Sequence, residues 1–564
     1  MNKTIKTLRS KFKNYEIDGY IVPKNDDYFT EYSKINRLKT ISNFSGSAGL
    51  AIILKNKNYL FTDGRYTLQS QMESGKNFKI IDSKELVNCK LFKNKTLGID
   101  PKLFTYNQIN NFFLKNNKIK FINKNLIDKI TKKKIIKDSL FFSLKKNIVG
   151  ESHRSKINKI CQYLKKNKCD YLFVSSPENV AWILNIRGSD GPNSPIPNSR
   201  LIISKTKKIF FFSKIKKARK IIKEKIIGPN EIINISKFQK KIYELKGSKF
   251  IIDDKSCSIY FEDIIKLNFK IKEREDPTYL LKAIKNKAEI NNMINAHILD
   301  GAALTKFIYW IKFVNKKNIN EIQAQNKLES FRKLNKNYLY PSFDTIAGSG
   351  KNGAIVHYRA KKGKCKIIKR QDIFLCDSGG QYKYGTTDVT RTICFSTPKP
   401  HIKKIFTRVL KGHIAVVSTN LKKYDSGNKI DVRARKYLKD INLDYAHGTG
   451  HGVGFFLNVH EGPQSISKFN KVKIQEGMIL SNEPGYYKKG KFGIRIENLI
   501  FVKNIKGNIF FENLTLAPIE RELINYKLLT TSEKNYLFKY HLNIYSKVSK
   551  YLNLNERKWL ASFI

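Results

Sequence analysis

Cysteine is scarce in this sequence, and long apolar runs are missing. Its 564 residues include 7 cysteines, an odd number without a Cys-x-x-Cys pair, which argues against a disulfide framework or a zinc knuckle. The longest apolar runs, such as residues 307–310, are far shorter than the roughly 18 residues that a membrane helix needs. The N-terminus lacks the apolar core of a signal peptide. We therefore expect reduced thiols and a cytoplasmic protein without a membrane span.

Acidic residues are also few. The chain has 47 of them against 108 lysines and arginines, so its formal net charge is +61. Such an excess is typical of proteins that bind nucleic acid or anionic membranes. However, only 18 of the basic residues are arginines, and the lysines are scattered over every region, whereas nucleic-acid readers concentrate their charge and place arginine at base edges. We expect a solvated lysine-rich surface without a nucleic-acid partner; an enzyme that also binds polyanions is the alternative.

The length predicts three or four domains of about 150 residues each. Short apolar segments at 18–22, 49–54 and 59–63 have the pattern of strands, and lysine-rich helical segments lie between such strands. A basic stretch at 131–139 follows them. This alternation predicts an α/β domain over residues 1–145.

A similar alternation continues over residues 146–283, which predicts a second α/β domain of the same architecture, although no sequence repeat is detectable. Its predicted elements are a helix over 151–166, a strand over 169–176, a helix that contains 177–184, and strands over 200–204 and 208–213. A long helical period over 281–314 then opens a third domain, as one helix or as two abutting helices.

Four carboxylates and one histidine in the last third of the chain indicate its chemistry. They are Asp377, Asp388, His451, Glu483 and Glu497. Acids gathered at one place repel each other unless cations lie among them. Four oxygen donors and one imidazole suit two divalent first-row ions that share bridging carboxylates, and two such ions nearly balance the acids plus one hydroxide. If the five residues meet, they form the active site of a hydrolase.

The first two acids lie on a predicted hairpin. A turn at Tyr382–Lys383 would place Asp377 directly opposite Asp388, with their Cβ atoms roughly 5 Å apart on one face. Such a pair can hold metals that are about 3.5–4 Å apart. A single acid in such a place would more often be a solvated residue at a strand edge.

The last two acids, Glu483 and Glu497, also lie on a predicted hairpin. A three-residue loop centred on Gly490 would place Glu483 opposite Glu497. The flanking segments, 477–484 and 492–500, are apolar enough for a buried sheet. Each predicted hairpin therefore presents two acids on one face.

The chain has 9 histidines, of which His357, His447, His451 and His460 lie near the acids in sequence. The glycines of the run HGTGHG, residues 447–452, would let the backbone approach a ligand closely. His451 would supply the imidazole ligand. The other three would serve as proton carriers or hydrogen-bond donors, because imidazole titrates near neutral pH.

Around these residues the sequence resembles the pita-bread metallopeptidases, and among them the aminopeptidase P (Xaa-Pro aminopeptidase) family. The runs that carry the resemblance are 340–360, 374–395, 447–463 and 481–499, with further similarity at 43–54, 61–66, 181–190, 514–524 and 528–541. Agreement is thin over residues 75–150 and 205–280, and the lysine load is unusual. The implied fold class is α/β (α+β): two creatinase-like domains over 1–145 and 146–283, a pita-bread catalytic domain over 284–504, and a C-terminal extension over 505–564.

The resemblance also implies a role for each ligand. Asp377 would hold one metal, His451 and Glu483 the other, and Asp388 and Glu497 would bridge the two. Manganese is the metal that the family suggests, and zinc and cobalt remain open. A hydroxide between the metals would attack the first peptide carbonyl, with Glu483 as the general base.

The leaving nitrogen of the implied reaction belongs to proline and has no proton of its own, so an acid must protonate it. His460, His357 and His447 are the candidates; we expect His460 nearest the scissile bond and His357 on the carbonyl side. Tyr487 and Arg495 would line the proline pocket or orient their neighbours. Ordinary packing and a surface ion pair explain these last two equally well.

In the resembling family the first two domains narrow the entrance to the site and contribute to a homodimer. Such a narrow entrance would admit only the free N-terminus of a peptide. Arg187 and Arg65 are candidates for contacts with substrate or with a neighbouring subunit. Prolidases and methionine aminopeptidases use the same five ligands, so they stay alternatives. Relatives that only bind proteins, such as histone chaperones, typically lose these ligands. All five ligands are present here, so we expect an enzyme. The three-domain length and the C-terminal extension favour one that cleaves peptides with proline in second place.

Overall fold

The computed structural model describes residues 2–87, 89–113, 117–131, 138–315 and 317–564. The chain forms two compact units, one up to Tyr279 and the other from Leu280 to Ile564. The boundary that we predict within 131–139 falls mainly on residues 132–137, which lie outside the described residues. The domain limits at 145, 283 and 504 stay predictions.

Strands and helices alternate along the first unit. Its strands are β1 (Gly19–Pro23), β2 (Leu50–Leu54), β3 (Asn58–Thr62), β4 (Lys79–Asp82), β5 (Thr96–Ile99), β6 (Lys118–Phe121), β7 (Phe142–Ser143), β8 (Tyr171–Val174), β9 (Ile186–Arg187), β10 (Arg200–Ser204), β11 (Ile209–Phe212), β12 (Ile232–Ile233), β13 (Lys249–Ile252) and β14 (Lys270–Glu273). Its helices are α1 (Asn2–Arg9), α2 (Arg37–Ser42), α3 (Thr67–Ser74), α4 (Tyr106–Phe112), α5 (Leu126–Ile130), α6 (Lys146–Val149), α7 (His153–Lys166), α8 (Pro177–Ile183), α9 (Ile215–Lys223), α10 (Phe238–Glu244) and α11 (Ile259–Lys266). The helix α12 (Thr278–Ala283) runs from the first unit into the second.

Two six-stranded sheets of the same topology, with the short pair β7-β9, lie in the described part of the first unit. Their strand orders are β4-β3-β2-β1-β5-β6 and β12-β11-β10-β8-β13-β14. In each sheet the first three strands in sequence pair antiparallel, and the remaining three are attached in parallel. The prediction that the second α/β segment repeats the architecture of the first is therefore confirmed.

Buried β-branched and aromatic residues explain why these strands form where the sequence predicts them. All residues of β1, β8 and β10 are buried, and β2 buries four of its five. Such residues favour a pleated backbone that is covered on both faces. The predicted segments 49–54, 59–63 and 200–204 coincide with β2, β3 and β10 to within one residue.

The second unit has short strands and longer helices. Its strands are β15 (Tyr338–Pro341), β16 (Ile346–Ser349), β17 (Ile373–Ser378), β18 (Gly380–Tyr382), β19 (Gly385–Thr386), β20 (Val389–Cys394), β21 (Gly450–Gly452), β22 (Glu461–Ile466), β23 (Ile479–Asn482), β24 (Gly485–Lys488), β25 (Phe492–Arg495), β26 (Asn498–Ile505) and β27 (Asn508–Asn513). Its helices are α13 (Lys287–Tyr309), α14 (Glu321–Lys333), α15 (Pro400–Val417), α16 (Gly427–Lys439), α17 (Thr531–Val548) and α18 (Leu554–Ala561).

The helical period over 281–314 is divided between two helices. The helix α12 ends at Ala283, and α13 begins at Lys287 after a capping box formed by Asn286 and Glu289. The side chain of Asn286 accepts hydrogen bonds from two backbone amides of the first turn, which starts a new helix instead of continuing the old one. The second of the two predicted alternatives is therefore the correct one.

Three sheets of the second unit have strands that carry or directly flank the acids. They are the three-stranded sheet β16-β17-β20, the five-stranded sheet β22-β21-β23-β26-β27 and the pair β24-β25. Helices α15 and α17 contribute Phe406, Leu410 and Ile544 to the same apolar cluster as Ile494 and Ile496. A packed core therefore supports the strands just beside Arg495 and Glu497.

Among the described residues, no helix combines the length and the apolarity that a membrane crossing requires. The seven cysteines all lie in described parts of the chain as unpaired thiols, and five of them are buried.

Candidate active site

The first two acids lie on a hairpin over residues 373–394, which we name the first acid hairpin. In it Tyr382 pairs with Gly385, so the turn is at Lys383–Tyr384, one residue later than predicted. Asp377 consequently faces Thr390, and the prediction that it lies directly opposite Asp388 is wrong. A one-residue displacement of the turn moves the pairing by two residues. Because side chains alternate along a strand, Asp377 and Asp388 still share one face.

The last two acids lie on a hairpin over residues 479–505, the second acid hairpin. Lys488 pairs with Phe492 around a loop centred on Gly490, and Asn482 pairs with Asn498 further along. Both pairings have the register that we predict, which places Glu483 opposite Glu497. This prediction is confirmed. The two glutamates lie where the hairpin passes from one pair of strands to the next.

His451 on β21 points its ring at acids from both hairpins. Its Nδ1 lies 2.9 Å from the carbonyl oxygen of Gly452, which only a protonated nitrogen can contact as a donor. In the neutral ring the lone pair is therefore on Nε2, which lies 3.5 Å from Asp388 Oδ2 and 3.5 Å from Glu483 Oε1. Ligand atoms of Asp388, His451 and Glu497 all lie within 4.8 Å of one another. This is the arrangement of a metal-binding imidazole whose second nitrogen is fixed by the backbone.

The two carboxylate oxygens of Asp377 lie in different surroundings. Its Oδ2 accepts a hydrogen bond of 2.5 Å from Arg495 Nη2. Its Oδ1 is buried, and no donor among the described residues reaches it. A buried anionic oxygen without a partner is costly, and a cation beside it would remove that cost. The residues present therefore fit divalent metal ions.

Two hydroxyl groups hold the glutamates. Thr390 donates a hydrogen bond of 2.7 Å to Glu497 Oε2, and Ser481 donates one of 3.0 Å to Glu483 Oε1. Sequence reasoning missed both hydroxyls. Each lies two residues from an acid of its own hairpin, on the same strand face by alternation, and this spacing is the signal that could have found them.

The acids raise each other's pKa. Burial, together with the charges of Asp388 and Glu483, outweighs the neighbouring Arg495 and raises the pKa of Asp377 to about 7. Burial and the other acids raise the pKa of Glu497 far above its usual value, and burial raises that of Glu483. Burial opposes protonation of His451, but the hydrogen bond to Asp388 and the charge of Glu483 raise its pKa to about 9. The protein alone cannot balance this much negative charge.

His460 lies in direct contact with the site. Its ring centroid is 4.3 Å from that of His451, with the planes inclined by 63°. The structure therefore brings His460 next to a residue of the candidate metal site; its role as a proton donor stays a prediction.

His447, Tyr487 and Arg495 form a hydrogen-bonded chain that ends on Asp377. Arg495 Nη1 donates to the Tyr487 hydroxyl at 2.7 Å, and this hydroxyl lies 2.9 Å from His447 Nε2. His447 Nδ1 is 2.8 Å from the carbonyl oxygen of Gly448 and donates to it. In the neutral His447 ring the lone pair is therefore on Nε2, to which the Tyr487 hydroxyl can donate. Burial raises the pKa of Tyr487 to about 12, which keeps the hydroxyl protonated.

Arg495 is 1 % exposed and donates to three partners, since its Nε also reaches Thr390 Oγ1 at 2.9 Å. The alternative of a surface ion pair is therefore wrong: the pair with Asp377 is internal. A pocket role for Tyr487 and Arg495 stays a prediction.

His357 is half-buried in the segment between β16 and β17. The next residue, Tyr358, donates a hydrogen bond of 2.7 Å to Glu321, whose buried carboxylate also accepts from the backbone amides of Ser349 and Lys366. Glu321 therefore anchors both ends of the segment that carries His357. The contact of His357 with substrate stays a prediction.

The two arginines proposed from the outer domains lie in the first unit. Arg187 is buried and donates to the carbonyl oxygens of Ala181 and Ile186, whereas Arg65 forms an ion pair of 2.8 Å with Asp63. Their roles toward substrate stay predictions.

Four segments match known families. Residues 4–128 and 132–289 each match the creatinase/prolidase N-terminal domain. Residues 291–504 match metallopeptidase family M24, and residues 508–562 match the C-terminal region of that family. These matches fit the two repeated sheets of the first unit and the acid-bearing sheets of the second.

Whole-chain comparisons agree. The "Probable Xaa-Pro aminopeptidase P" of Laccaria bicolor is 37% identical over 98% of this chain and 91% of its own length. The crystal structure of the X-prolyl aminopeptidase from Caenorhabditis elegans, described as a cytosolic enzyme with a di-nuclear active site, matches with a TM-score of 0.92 and 28% identity over 100% of this chain and 98% of that one. The prolidase from Pyrococcus furiosus matches with a TM-score of 0.52 and 25% identity over 63% of this chain and 98% of its own.

These findings confirm the predicted fold class, with two creatinase-like domains, a pita-bread catalytic domain and a C-terminal extension. They also confirm the family resemblance that the sequence motifs carry. The chain belongs to metallopeptidase family M24.

Proposed function

We propose that this protein is a dinuclear-metal aminopeptidase that hydrolyses the first peptide bond of peptides with proline in second place. The observation that carries the proposal is the convergence of Asp388, His451 and Glu497, whose ligand atoms lie within 4.8 Å of one another. The similarity over the whole chain to the X-prolyl aminopeptidase of C. elegans supports the substrate class. The prolidase of P. furiosus matches only 63% of the chain, so prolidase is the weaker alternative.

In the proposed centre, Asp377 would hold one metal, His451 and Glu483 would hold the other, and Asp388 and Glu497 would be shared by the two. When bound, the pair of cations polarises the scissile carbonyl and makes water acidic enough to react near neutral pH. Mn²⁺ is the proposed metal because four of the five donors are carboxylates, and Zn²⁺ and Co²⁺ are the alternatives.

The side chains of the protein move the protons. Glu483 accepts the proton of the attacking water, since it lies at the edge of the acid cluster with Ser481 on one oxygen. His460 delivers a proton to the proline nitrogen, which as a tertiary amide has none. The contact of its ring with that of His451 supports this role. His357 contacts the substrate carbonyl from the opposite side.

The chain of His447, Tyr487 and Arg495 has a positioning role in this proposal. Arg495 fixes Asp377 Oδ2, which would leave Oδ1 to bind a metal. His447 and Tyr487 hold the guanidinium in that orientation and line the pocket for the proline ring. We assign the proton transfer to His460, because its ring contacts that of His451, whereas His447 Nε2 lies against the Tyr487 hydroxyl.

The test is a peptide panel with the purified protein. We expect release of the first residue from Xaa-Pro-Yaa peptides, loss of this activity with a chelator and recovery with Mn²⁺. Release of methionine from Met-Ala peptides but not from Met-Pro peptides would instead identify a methionine aminopeptidase, and cleavage restricted to dipeptides would identify a prolidase. A metal analysis should find two ions per chain; which metal restores full activity decides between Mn²⁺, Zn²⁺ and Co²⁺.

We further propose that the protein works in the cytoplasm as a homodimer. Light scattering after size-exclusion chromatography should then give twice the chain mass of 65.5 kDa. A single chain mass at micromolar concentration would overturn this part of the proposal.

A further inference from the structure

Arg391 lies behind the acid cluster and binds only neutral oxygens. It follows Thr390 on β20, so its side chain points away from the face that carries the acids. Its guanidinium is buried and donates at 2.7–3.0 Å to the carbonyl oxygens of Thr390, Glu497, Ala517 and Pro518, the amide oxygen of Asn498 and the hydroxyl of Tyr540. All of its donor directions are therefore used.

No carboxylate among the described residues lies within ion-pairing distance of Arg391. Other buried arginines of this unit differ: Arg332 pairs with Asp300, and Arg495 with Asp377. An unpaired buried charge is costly unless charge further away offsets it. Six neutral acceptors therefore hold the buried guanidinium of Arg391, where Arg332 and Arg495 each have a carboxylate.

The partners of Arg391 belong to two parts of the chain. Thr390 and Glu497 lie on the two acid hairpins, and Thr390 itself holds the Glu497 carboxylate. Ala517, Pro518 and Tyr540 lie in the segment that follows the hairpins, with Tyr540 on α17. The Tyr540 hydroxyl lies 2.9 Å from the carbonyl oxygen of Ala517, which fixes this group beside the guanidinium. One side chain thus joins the C-terminal region to both acid hairpins.

We infer that Arg391 and Tyr540 are positioning residues through which the C-terminal region, residues 508–562, sets the affinity of the site for divalent metal. Arg391 fixes the backbone of Glu497 and Thr390, and so holds the Glu497 carboxylate at the distance from Asp388 that a shared metal requires. The inference rests on the metal site of the proposed function. It assigns the C-terminal region a part in holding the metal, beyond packing against the core.

Two variants of different severity test the inference. Arg391→Lys keeps the charge but cannot reach all six acceptors. Tyr540→Phe removes one hydroxyl and keeps the ring. The matched control is Tyr536→Phe in the same helix, because the Tyr536 ring stacks on Tyr540 at 6.1 Å while its hydroxyl contacts Asn513 instead of Arg391.

The measurement is the binding of Mn²⁺ to chelator-treated full-length protein by calorimetric titration, with circular dichroism and Tm recorded beside it. We expect the dissociation constant to rise about 10–100-fold for Arg391→Lys and several-fold for Tyr540→Phe, with the secondary structure kept. Tyr536→Phe should bind Mn²⁺ as the unaltered protein does. If the Arg391→Lys variant does not fold, the Mn²⁺ affinity of the Tyr540→Phe variant alone tests the inference.

Unchanged Mn²⁺ affinity in both folded variants, with a lowered Tm, would overturn the inference and leave these residues a purely structural role. Unaltered protein that binds no divalent metal would overturn the proposed function itself, and this inference with it. The two failures are therefore distinguishable in one titration series.

Discussion

Each of the two acid hairpins presents two acids on one face, but the sequence predicted the strand register correctly only for the second. In the second hairpin, Gly490 has a φ of +70° and open space around it, so it marks the turn and fixes the register. In the first hairpin, Gly385 does not mark the turn. A Cβ at this position would lie 2.6 Å from the Cβ of Ala296 on α13, so the glycine serves close packing against a helix. A glycine reveals register only where the turn itself requires it.

The hairpins also differ in how their acids are held. Asp377 of the first hairpin is paired with an arginine that the second hairpin supplies. Glu483 of the second hairpin is held by a hydroxyl of its own hairpin, and Glu497 by a hydroxyl of the first. Neither hairpin can therefore form its half of the site alone, and the following changes should separate their contributions.

The largest effect should come from Asp388→Ala in the first hairpin. This substitution removes a carboxylate that lies beside both His451 and Glu497, so we expect loss of bound metal and at least about a 1,000-fold fall in kcat/KM. Metal analysis and peptide hydrolysis measure the two losses. Lys383→Ala at the exposed turn of the same hairpin is the control. Full activity in the Asp388 variant would refute the assigned site.

A smaller effect is expected for Arg495→Lys, which breaks the link between the hairpins. Lysine keeps the charge but cannot bind Asp377, Thr390 and Tyr487 together, so Asp377 should lose its fixed orientation. We expect kcat/KM to fall about 10–100-fold with the fold kept. Arg521→Lys, outside the site, should be neutral. Equal activity of the two variants would show that Asp377 needs no arginine to orient it.

The smallest effect is a pH dependence of stability in chelator-treated protein. The raised pKa of Asp377, about 7, means that between about pH 4 and 7 the folded chain keeps a proton that the unfolded chain has lost, so stability falls as pH rises. Glu483 and Glu497 act in the same direction. The pKa of His451, about 9, gives stability that is lost as pH rises from about 6.5 to 9. Within its window, a single group of this kind changes the free energy of unfolding by on the order of 1 kcal/mol per pH unit.

Thermal unfolding between pH 5 and 8 measures this dependence. The Tm of the chelated protein should fall with pH, and the Mn²⁺-loaded protein should resist the fall because the cations offset the acids. Asp377→Asn should flatten the curve of the chelated protein by removing the contribution of the first hairpin. Parallel curves with and without metal would show that the acids do not repel each other as the geometry indicates.

Much of the site could be predicted because strand periodicity is a local property. The prediction that Asp377 and Asp388 share one face was right although the predicted turn position was wrong. An error of one residue in the turn shifts the strand pairing by two residues and so keeps the same face. The register of Glu483 and Glu497 followed from one glycine. In the first unit, apolar β-branched segments identified the strands of both sheets for the same reason.

The remaining features could not be predicted because they depend on partners that are distant in sequence. Nothing near Arg391 in the chain indicates its contact with Tyr540. Likewise, nothing near Arg495 indicates that the Tyr487 hydroxyl lies between Arg495 and His447. Such contacts follow from how the strands and helices pack. The periodicity of a segment carries no information about them.

Arg391 makes the assembly of the acid cluster depend on the order of synthesis. The ribosome releases Asp377 and Asp388 first, then Glu497, and only later the residues around Ala517 and Tyr540 that complete the arginine's hydrogen bonds. Because domains fold as their residues emerge, the acids of a nascent chain are fixed only after α17 has been synthesised. A growing chain of this protein would therefore remain an inactive peptidase until the residues around Tyr540 have emerged.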